Sequence, residues 1–438
     1  MSLSQQPAEE ANAAADDGPV RQGLERQATA LVVCVVLVSS FVRGGYAWSH
    51  RDLLLEDRDA YLALGEHLVV AGQYGVGHPT AFRPPLYPFV VAGCFLLERL
   101  TTLDAQLFRG AVNVLFAAAT IWLTFRVGQR LLSSAAGVVA ACGFAASPLA
   151  LRYVAFSMTE SICPLLLVAV VDRTITLRRL PSASRAVLWG LVVGLAAACR
   201  PTVWVAAALL LAGACVVGPR LSLRRTLLAI AAAVLTALPW IARNAAVFGQ
   251  FVPLTTHGGY TLALGNNDDF YDQVVLADGQ KVWTTGQQEW LAREQLKMQA
   301  LGIRGEVQQD EYFKQRARET ITQRPADFLH ASWLRWQRFF SVVPTESASQ
   351  PSWQIVLVGF FYSVTFVVSL GGVIRLVRVD RMAAFLLVVP IAGFLAVHTL
   401  YWSNARMRLP IEPCIYLLAA ACIYPPRRHS VAAADSSR

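Results

Sequence analysis

Charge is what this chain has least of. Only 15% of its 438 residues are Asp, Glu, Lys or Arg, where an ordinary soluble domain carries about 25%. With 55% hydrophobic residues, it has more apolar surface than a water-facing fold can cover, which excludes a soluble protein and makes lipid the solvent. Paired cysteines are missing too. The eight cysteines, at 34, 94, 142, 163, 199, 215, 414 and 422, stand singly in apolar stretches without a CxxC spacing. A disulfide framework or thiolate metal site is therefore not indicated, and small packing residues are expected. Nucleic acid is not an expected partner, because the net charge of +9 is spread over short basic clusters between apolar runs, as in cytoplasmic loops. Internal repeats, usual in secondary transporters, are not seen, and the centres of the apolar runs are nearly all free of the ionisable residues that transporters carry there.

What is present is a series of long apolar runs. A spanning helix needs about 20 mostly apolar residues, and candidates lie near 28–47, 106–127, 133–151, 159–175, 186–200, 202–218, 226–246, 353–373, 382–401 and 409–424. An all-α polytopic membrane protein with about ten spans is expected. The stretch 84–100 is an eleventh candidate. Arginine placement decides against it: the clusters at Arg126/Arg130, Arg173/Arg178/Arg179/Arg185, Arg220/Arg224/Arg225, Arg375/Arg378/Arg381 and Arg427/Arg428 all face the cytoplasm only with ten spans. Residues 84–100 are then an interfacial helix of the first outer loop.

Residues 1–27, polar and without periodicity, read as a disordered cytoplasmic tail. The run from Thr29 has no small-x-small cleavage site and reads as an uncleaved first helix. The expected organisation is this tail, an N-terminal transmembrane module over 28–246 with its first outer loop at 48–105, a large extracytoplasmic segment over 247–352, C-terminal transmembrane helices over 353–424, and a cytoplasmic tail over 425–438. Both termini are cytoplasmic in this arrangement. The 247–352 segment is too long for a simple connection and is expected to hold structure of its own, with charged helix over 288–320 and an aromatic, Arg-rich interfacial anchor over 328–340.

Seven arginines break the orientation rule. Arg43, Arg83, Arg152, Arg200, Arg243, Arg406 and Arg408 map to outer helix ends or outer loops, where a positive charge is costly unless paired. Some can pair with acids such as Glu160 or Glu412. Several converging on one face make an anion site, since the guanidinium fork suits phosphate. The first outer loop offers carboxylates: Glu56, Asp57 and Asp59 precede Ala60-Tyr61-Leu62-Ala63. They read either as caps of a short helix or as a general base beside the arginines. His257 and Asn266, in the segment that opens the large outer region, read as turn residues or as contacts to a substrate.

In their order these pieces resemble the membrane glycosyltransferases of the C-type fold, in the branch of the protein O-mannosyltransferases and the lipid A aminoarabinose transferase. Asp57-x-x-x-Tyr61 followed by Gly72-Gln73-Tyr74 resembles the acidic first-loop motif. The run Pro79 to Pro88 resembles the proline-rich entry to an interfacial helix, and Ser157-Met158-Thr159-Glu160 the acidic start of a later span. Cys199-Arg200-Pro201, Leu238-Pro239-Trp240 through Asn244, and Arg406-Met407-Arg408-Leu409-Pro410-Ile411-Glu412-Pro413 resemble three further family motifs. The first loop departs from the pattern of one Asp or an Asp-Glu pair, because Glu56, Asp57 and Asp59 compete; Asp57 fits best, with Tyr61 four residues on.

The resemblance implies a mannosyltransferase-like enzyme, a hexosyl- or pentosyltransferase, that moves a sugar with inversion from a polyprenyl-phosphate donor to a glycan, lipid or protein acceptor at the outer face of the cell membrane. Asp57 or Asp59 would be the base and Glu160 a second acid. Arg200, Arg243, Arg406, Arg408 and Arg83 would bind the donor phosphate, with Tyr61, His257 and Asn266 on substrate. No cofactor is implied, and a divalent metal is left open. The rival readings are a secondary transporter and a lipid-binding membrane protein.

Overall fold

The computed structural model describes residues 6–216, 221–277, 283–343 and 352–424, with side chains from residue 22 onward. The expected tail 425–438 and residues 1–5 lie outside the described residues. All regular structure among the described residues is helical. The first helix, α1 (Gln6–Ser49), begins inside the segment expected to be a structureless tail. Its first turns are rich in Ala, Glu and Gln, all strong helix formers. The segment expected to be the first outer loop follows, with α2 (Tyr61–Ala71) and α3 (Leu86–Thr101) packed on each other. Next come α4 (Ala105–Leu131), α5 (Ser134–Ala146), α6 (Pro148–Tyr153), α7 (Cys163–Arg179), α8 (Ala183–Cys199), α9 (Val203–Val216) and α10 (Leu223–Phe248).

Among the described residues, five helices are long and apolar enough to cross a membrane: α1 from Gln22 on, α4, α10, α16 (Ser352–Val379) and α17 (Arg381–Leu400). The other expected spans correspond to shorter helices. Residues 133–151 form two helices that break at Ser147-Pro148, where the serine side chain caps α6 and the proline takes its first turn, a position that needs no backbone N–H. α7, α8 and α9 have 17, 17 and 14 residues, and α18 (Glu412–Ile423) has 12. At about 1.5 Å per residue, the 16 residues of α3 extend about 24 Å, short of the roughly 30 Å hydrocarbon core. Close packing holds the bundle. A Cβ on Gly372 of α16 would sit 1.8 Å from the Leu418 carbonyl oxygen of α18, so only glycine lets these helices approach so far.

Between α10 and α16 the described residues are mostly helical. They form α11 (Gly258–Gly265), α12 (Asp268–Phe270), α13 (Thr285–Ala300), α14 (Glu306–Gln323) and α15 (Pro325–Phe339) around a separate core of Phe270, Tyr271, Trp283, Trp290 and Phe313. α15 turns Leu329 and Trp333 outward while Arg335 is buried, as an amphipathic helix at an apolar boundary would.

Candidate active site

Five connectors carry the candidate residues. The first is the loop before α2. Asp57 accepts from the Leu62 N–H at 2.8 Å and the Ala63 N–H at 2.9 Å, and its carboxylate remains exposed. Both oxygens are thus held by two of the orphan amides of a helix N-terminus. Between Asp57 and α2, Ala60 takes a left-handed φ of 61°, a strained value for a residue with a Cβ. Arg58 stacks over Phe156 at 4.4 Å, and Leu54 accepts from the Ser157 hydroxyl at 3.1 Å, which docks this loop on the turn before α7. Asn113 of α4 fixes that turn by donating to the Val154 and Phe156 carbonyls, both at 3.0 Å.

Asp59, not Asp57, is the first-loop acid that meets the arginines. Its Oδ1 lies 2.8 Å from Arg83 Nη2 and its Oδ2 3.5 Å from Arg406 Nη1. Glu160, 1% exposed, stands 2.8 Å from Arg200 Nη2 and 3.6 Å from Arg406 Nε through the same oxygen. Asp59, Glu160, Arg83, Arg200 and Arg406 therefore form one ionic chain drawn from the first loop, the 72–85 loop, the turn before α7, the α8–α9 connector and the link before α18. Three guanidinium groups face two carboxylates, leaving one positive charge. Arg83 Nε, Arg200 Nη1 and Arg406 Nε are buried without a hydrogen-bond partner. Buried donors left unsatisfied at a polar site mark a place for water or an anion.

The 72–85 loop is shaped for its task. Gly75 has φ 142°, and a Cβ there would meet the His78 carbonyl oxygen at 2.0 Å. The Tyr74 hydroxyl donates to the Arg83 carbonyl at 2.9 Å. Glu306, at the start of α14, accepts from the Thr80 hydroxyl at 2.6 Å and the Ala81 N–H at 2.8 Å, and also from Thr256. This carboxylate ties the 72–85 loop to the large segment, and no local pattern announces it, since Thr80 and Ala81 are more than two hundred residues away. Arg83 lies over the Tyr61 ring at 5.7 Å, and Tyr61 itself is buried edge-on against Tyr87. His257 Nε2 is 3.4 Å from Arg83 Nη1, with its ring edge-to-face on Phe82. Burial first, then the charges of Arg83 and Arg406, push His257 well below the usual imidazole range, so it is neutral near pH 7.

Three of the expected site residues lie elsewhere. Arg408 is fully buried, pairs with Glu412 at 3.3 Å, donates to the Phe339 and Ser341 carbonyls at 3.0 and 2.7 Å, and stacks on Tyr362 at 4.3 Å. Residues Ala405–Ile411 form a 3₁₀ helix with three residues per turn, so Arg406 and Arg408 face different neighbours. Arg243 staples the first loop to α10 by donating to the Thr80 and Tyr74 carbonyls at 2.7 and 3.0 Å. Asn266 spends its side chain on the fold: it donates to the Leu262 and Leu400 carbonyls and accepts from Tyr271 and Arg335. Among the described residues, no group of three or more His, Cys, Asp or Glu side chains is placed to hold a metal ion.

No family model matches the sequence, and no curated protein matches it. Solved structures do. The Archaeoglobus fulgidus oligosaccharyltransferase in its complex with zinc and sulfate aligns with TM-score 0.51 at 13% identity over 90% of this chain and 48% of that one. The archaeal oligosaccharyltransferase AglB from the same organism, in complex with an inhibitory peptide and a dolichol-phosphate, aligns with TM-score 0.48 at 12% identity, over 90% and 50%. ArnT from Cupriavidus metallidurans, bound to undecaprenyl phosphate, gives 0.44 at 14% identity, over 90% and 77%. The chain spans about half the length of the oligosaccharyltransferases it resembles. It is an all-α membrane protein with the C-type fold that its motifs suggested.

Proposed function

We propose that the chain is a membrane glycosyltransferase that moves a sugar from a polyprenyl-phosphate donor to an acceptor at the outer face of the membrane. The observation that supports it most is the net positive charge of the Arg83–Arg200–Arg406 cluster, with a buried N–H group on each guanidinium that makes no hydrogen bond. A singly charged phosphodiester would complete that inventory.

In this reaction the acceptor hydroxyl oxygen attacks the anomeric carbon as the bond to the phosphate oxygen breaks. Polyprenyl phosphate is a stable anion, so its departure calls for positive charge rather than a proton donor. Arg83, Arg200 and Arg406 meet the charge that develops on it. The proton of the attacking hydroxyl needs a base, and Asp57 is our assignment: it is exposed, and two amides fix its carboxylate while leaving lone pairs to receive a proton. Asp59 is committed to two arginines and orients them, and Glu160 does the same for Arg200 and Arg406. In-line attack with a single base gives inversion. Neutral His257 and the Tyr61 face line the approach beside Arg83, while Arg243 acts indirectly by holding the loop that carries Arg83.

The test is incubation of the purified protein in liposomes with a panel of labelled polyprenyl-phosphate sugars. Loss of label from the lipid with any of them supports the reading. Full retention with all of them, in protein that is folded, contradicts it.

A further inference from the structure

The two connectors that meet at Arg200 carry more unsatisfied polar atoms than the phosphate accounts for. Arg200 Nη2 lies 3.6 Å from Met407 Sδ, which brings the α8–α9 turn against the 3₁₀ helix before α18. On the first connector, Thr202 Oγ1 is buried with no hydrogen-bond partner, as is Arg200 Nη1. On the second, Ser403 Oγ and Asn404 Oδ1 are in the same condition, and Ser403 is only 1% exposed. Asn404 is the N-cap of the 3₁₀ helix, and its backbone carbonyl accepts from the Met407 N–H at 3.1 Å. Serine and asparagine at such a place normally cap the helix with their side chains, yet no side-chain cap bond is made here. Burying a hydroxyl or an amide oxygen unpaired costs about 1–3 kcal/mol per group, so native proteins rarely leave several together.

The chemistry of the set is specific. It comprises a guanidinium N–H that donates, two hydroxyls that donate and accept, and an amide oxygen that accepts. Such a mixture complements a polyhydroxylated ring, whose hydroxyls also do both. None of the four groups is a carboxylate that could pair with an ammonium group, and Asp59 and Glu160, the acids of the ionic chain, are already engaged by arginines.

We infer that Thr202, Ser403 and Asn404, with Arg200, form the subsite for the sugar ring of the donor and select a neutral, hydroxyl-rich sugar over an amino sugar. The inference rests on the donor reading above and assigns residues and a sugar class within it.

Three probes separate the two levels: undecaprenyl phosphate without sugar, undecaprenyl-phosphate mannose, and undecaprenyl-phosphate 4-amino-4-deoxyarabinose. Each is titrated against the full chain in nanodiscs, for the wild type and for Thr202→Val and Ser403→Ala, which keep side-chain size. The wild type is expected to bind the mannose lipid about tenfold or more tightly than the sugar-free lipid, and each variant to lose about five- to tenfold on the mannose lipid alone, near 1–1.4 kcal/mol. The amino-sugar lipid should gain nothing over the sugar-free one. The thermal midpoint of the unliganded variants should stay level or rise, since an unpaired buried hydroxyl has been removed. Equal binding of sugar-bearing and sugar-free lipids, variants that weaken both lipids alike or neither, tighter binding of the amino-sugar lipid, or a lowered midpoint overturns the subsite. If the wild type binds none of the three lipids, the donor reading itself fails.

Discussion

Arg200 and Glu160 face each other at 2.8 Å across the α8–α9 connector and the turn before α7. The carboxylate is almost fully buried, and the same oxygen stands 3.6 Å from Arg406. Because the arginines outnumber the acids around it, this pair positions charge rather than cancelling it.

The base assignment separates Asp57 from Asp59. Asp57→Asn should lower transfer by about 10²–10⁴-fold, the usual effect of losing a general base, with polyprenyl-phosphate binding retained. Asp59→Asn should act mainly on donor affinity, since it frees Arg83 and Arg406. Steady-state rates paired with lipid titrations check both. An active Asp57→Asn beside a dead Asp59→Asn that still binds donor moves the base two residues.

Arg408 should be a residue of stability. Its removal leaves Glu412 buried without its ion-pair partner, a change that typically costs about 3–5 kcal/mol. Arg408→Met is expected to lower the thermal midpoint sharply, and Arg408→Met with Glu412→Gln to recover part of the loss. If the two losses simply add, the pair is not coupled in the way the 3.3 Å contact implies.

His257 gives the protein an acid-side sensitivity. Its folded-state value lies below the ordinary 6.5, chiefly through burial and then through Arg83 and Arg406. The unfolded chain therefore binds this proton more readily, and stability present above about pH 6.5 is lost as pH falls below that value. Melting curves between pH 7.5 and 5 should show a smaller loss in His257→Gln than in the wild type. An identical loss assigns the acid sensitivity to other groups.

Topology has its own test. Reporters fused after Leu103 and after Leu301 should both be extracytoplasmic, and one after Leu180 cytoplasmic. A cytoplasmic reporter after Leu103 reverses the orientation inferred from the arginines.

How much could be read from the sequence follows from the kind of signal each residue left. The long spans α1, α4, α10, α16 and α17 were legible as unbroken apolar runs, whereas the Ser147-Pro148 break was absorbed into one apolar stretch. Arg83, Arg200 and Arg406 stood out because a charge on the outer side violates the orientation bias. That bias reports depth and says nothing of direction around a helix, so Arg243 and Arg408 carried the same signal and turned out to hold the loop and the core. The Asp57–Asp59 ambiguity had the same root: spacing to Tyr61 favours the residue that caps α2, while the ionic contacts go to the other. Asn113 and Glu306 left no local trace, because their partners come from distant parts of the chain.

A phosphate held by Arg83, Arg200 and Arg406 would show in the affinity of undecaprenyl phosphate for single-arginine variants. A charge-assisted hydrogen bond at a poorly solvated site contributes about 1.5–3 kcal/mol, so each of Arg83→Ala, Arg200→Ala and Arg406→Ala should weaken binding about 10- to 150-fold. Lysine should restore only part of that, since it keeps the charge and loses the fork. Arg408→Met, two residues from Arg406 but outside the ionic chain, should bind the lipid as the wild type does wherever it remains folded. Unchanged affinity in all three alanine variants, or a loss in Arg408→Met equal to that in Arg406→Ala, would contradict the account.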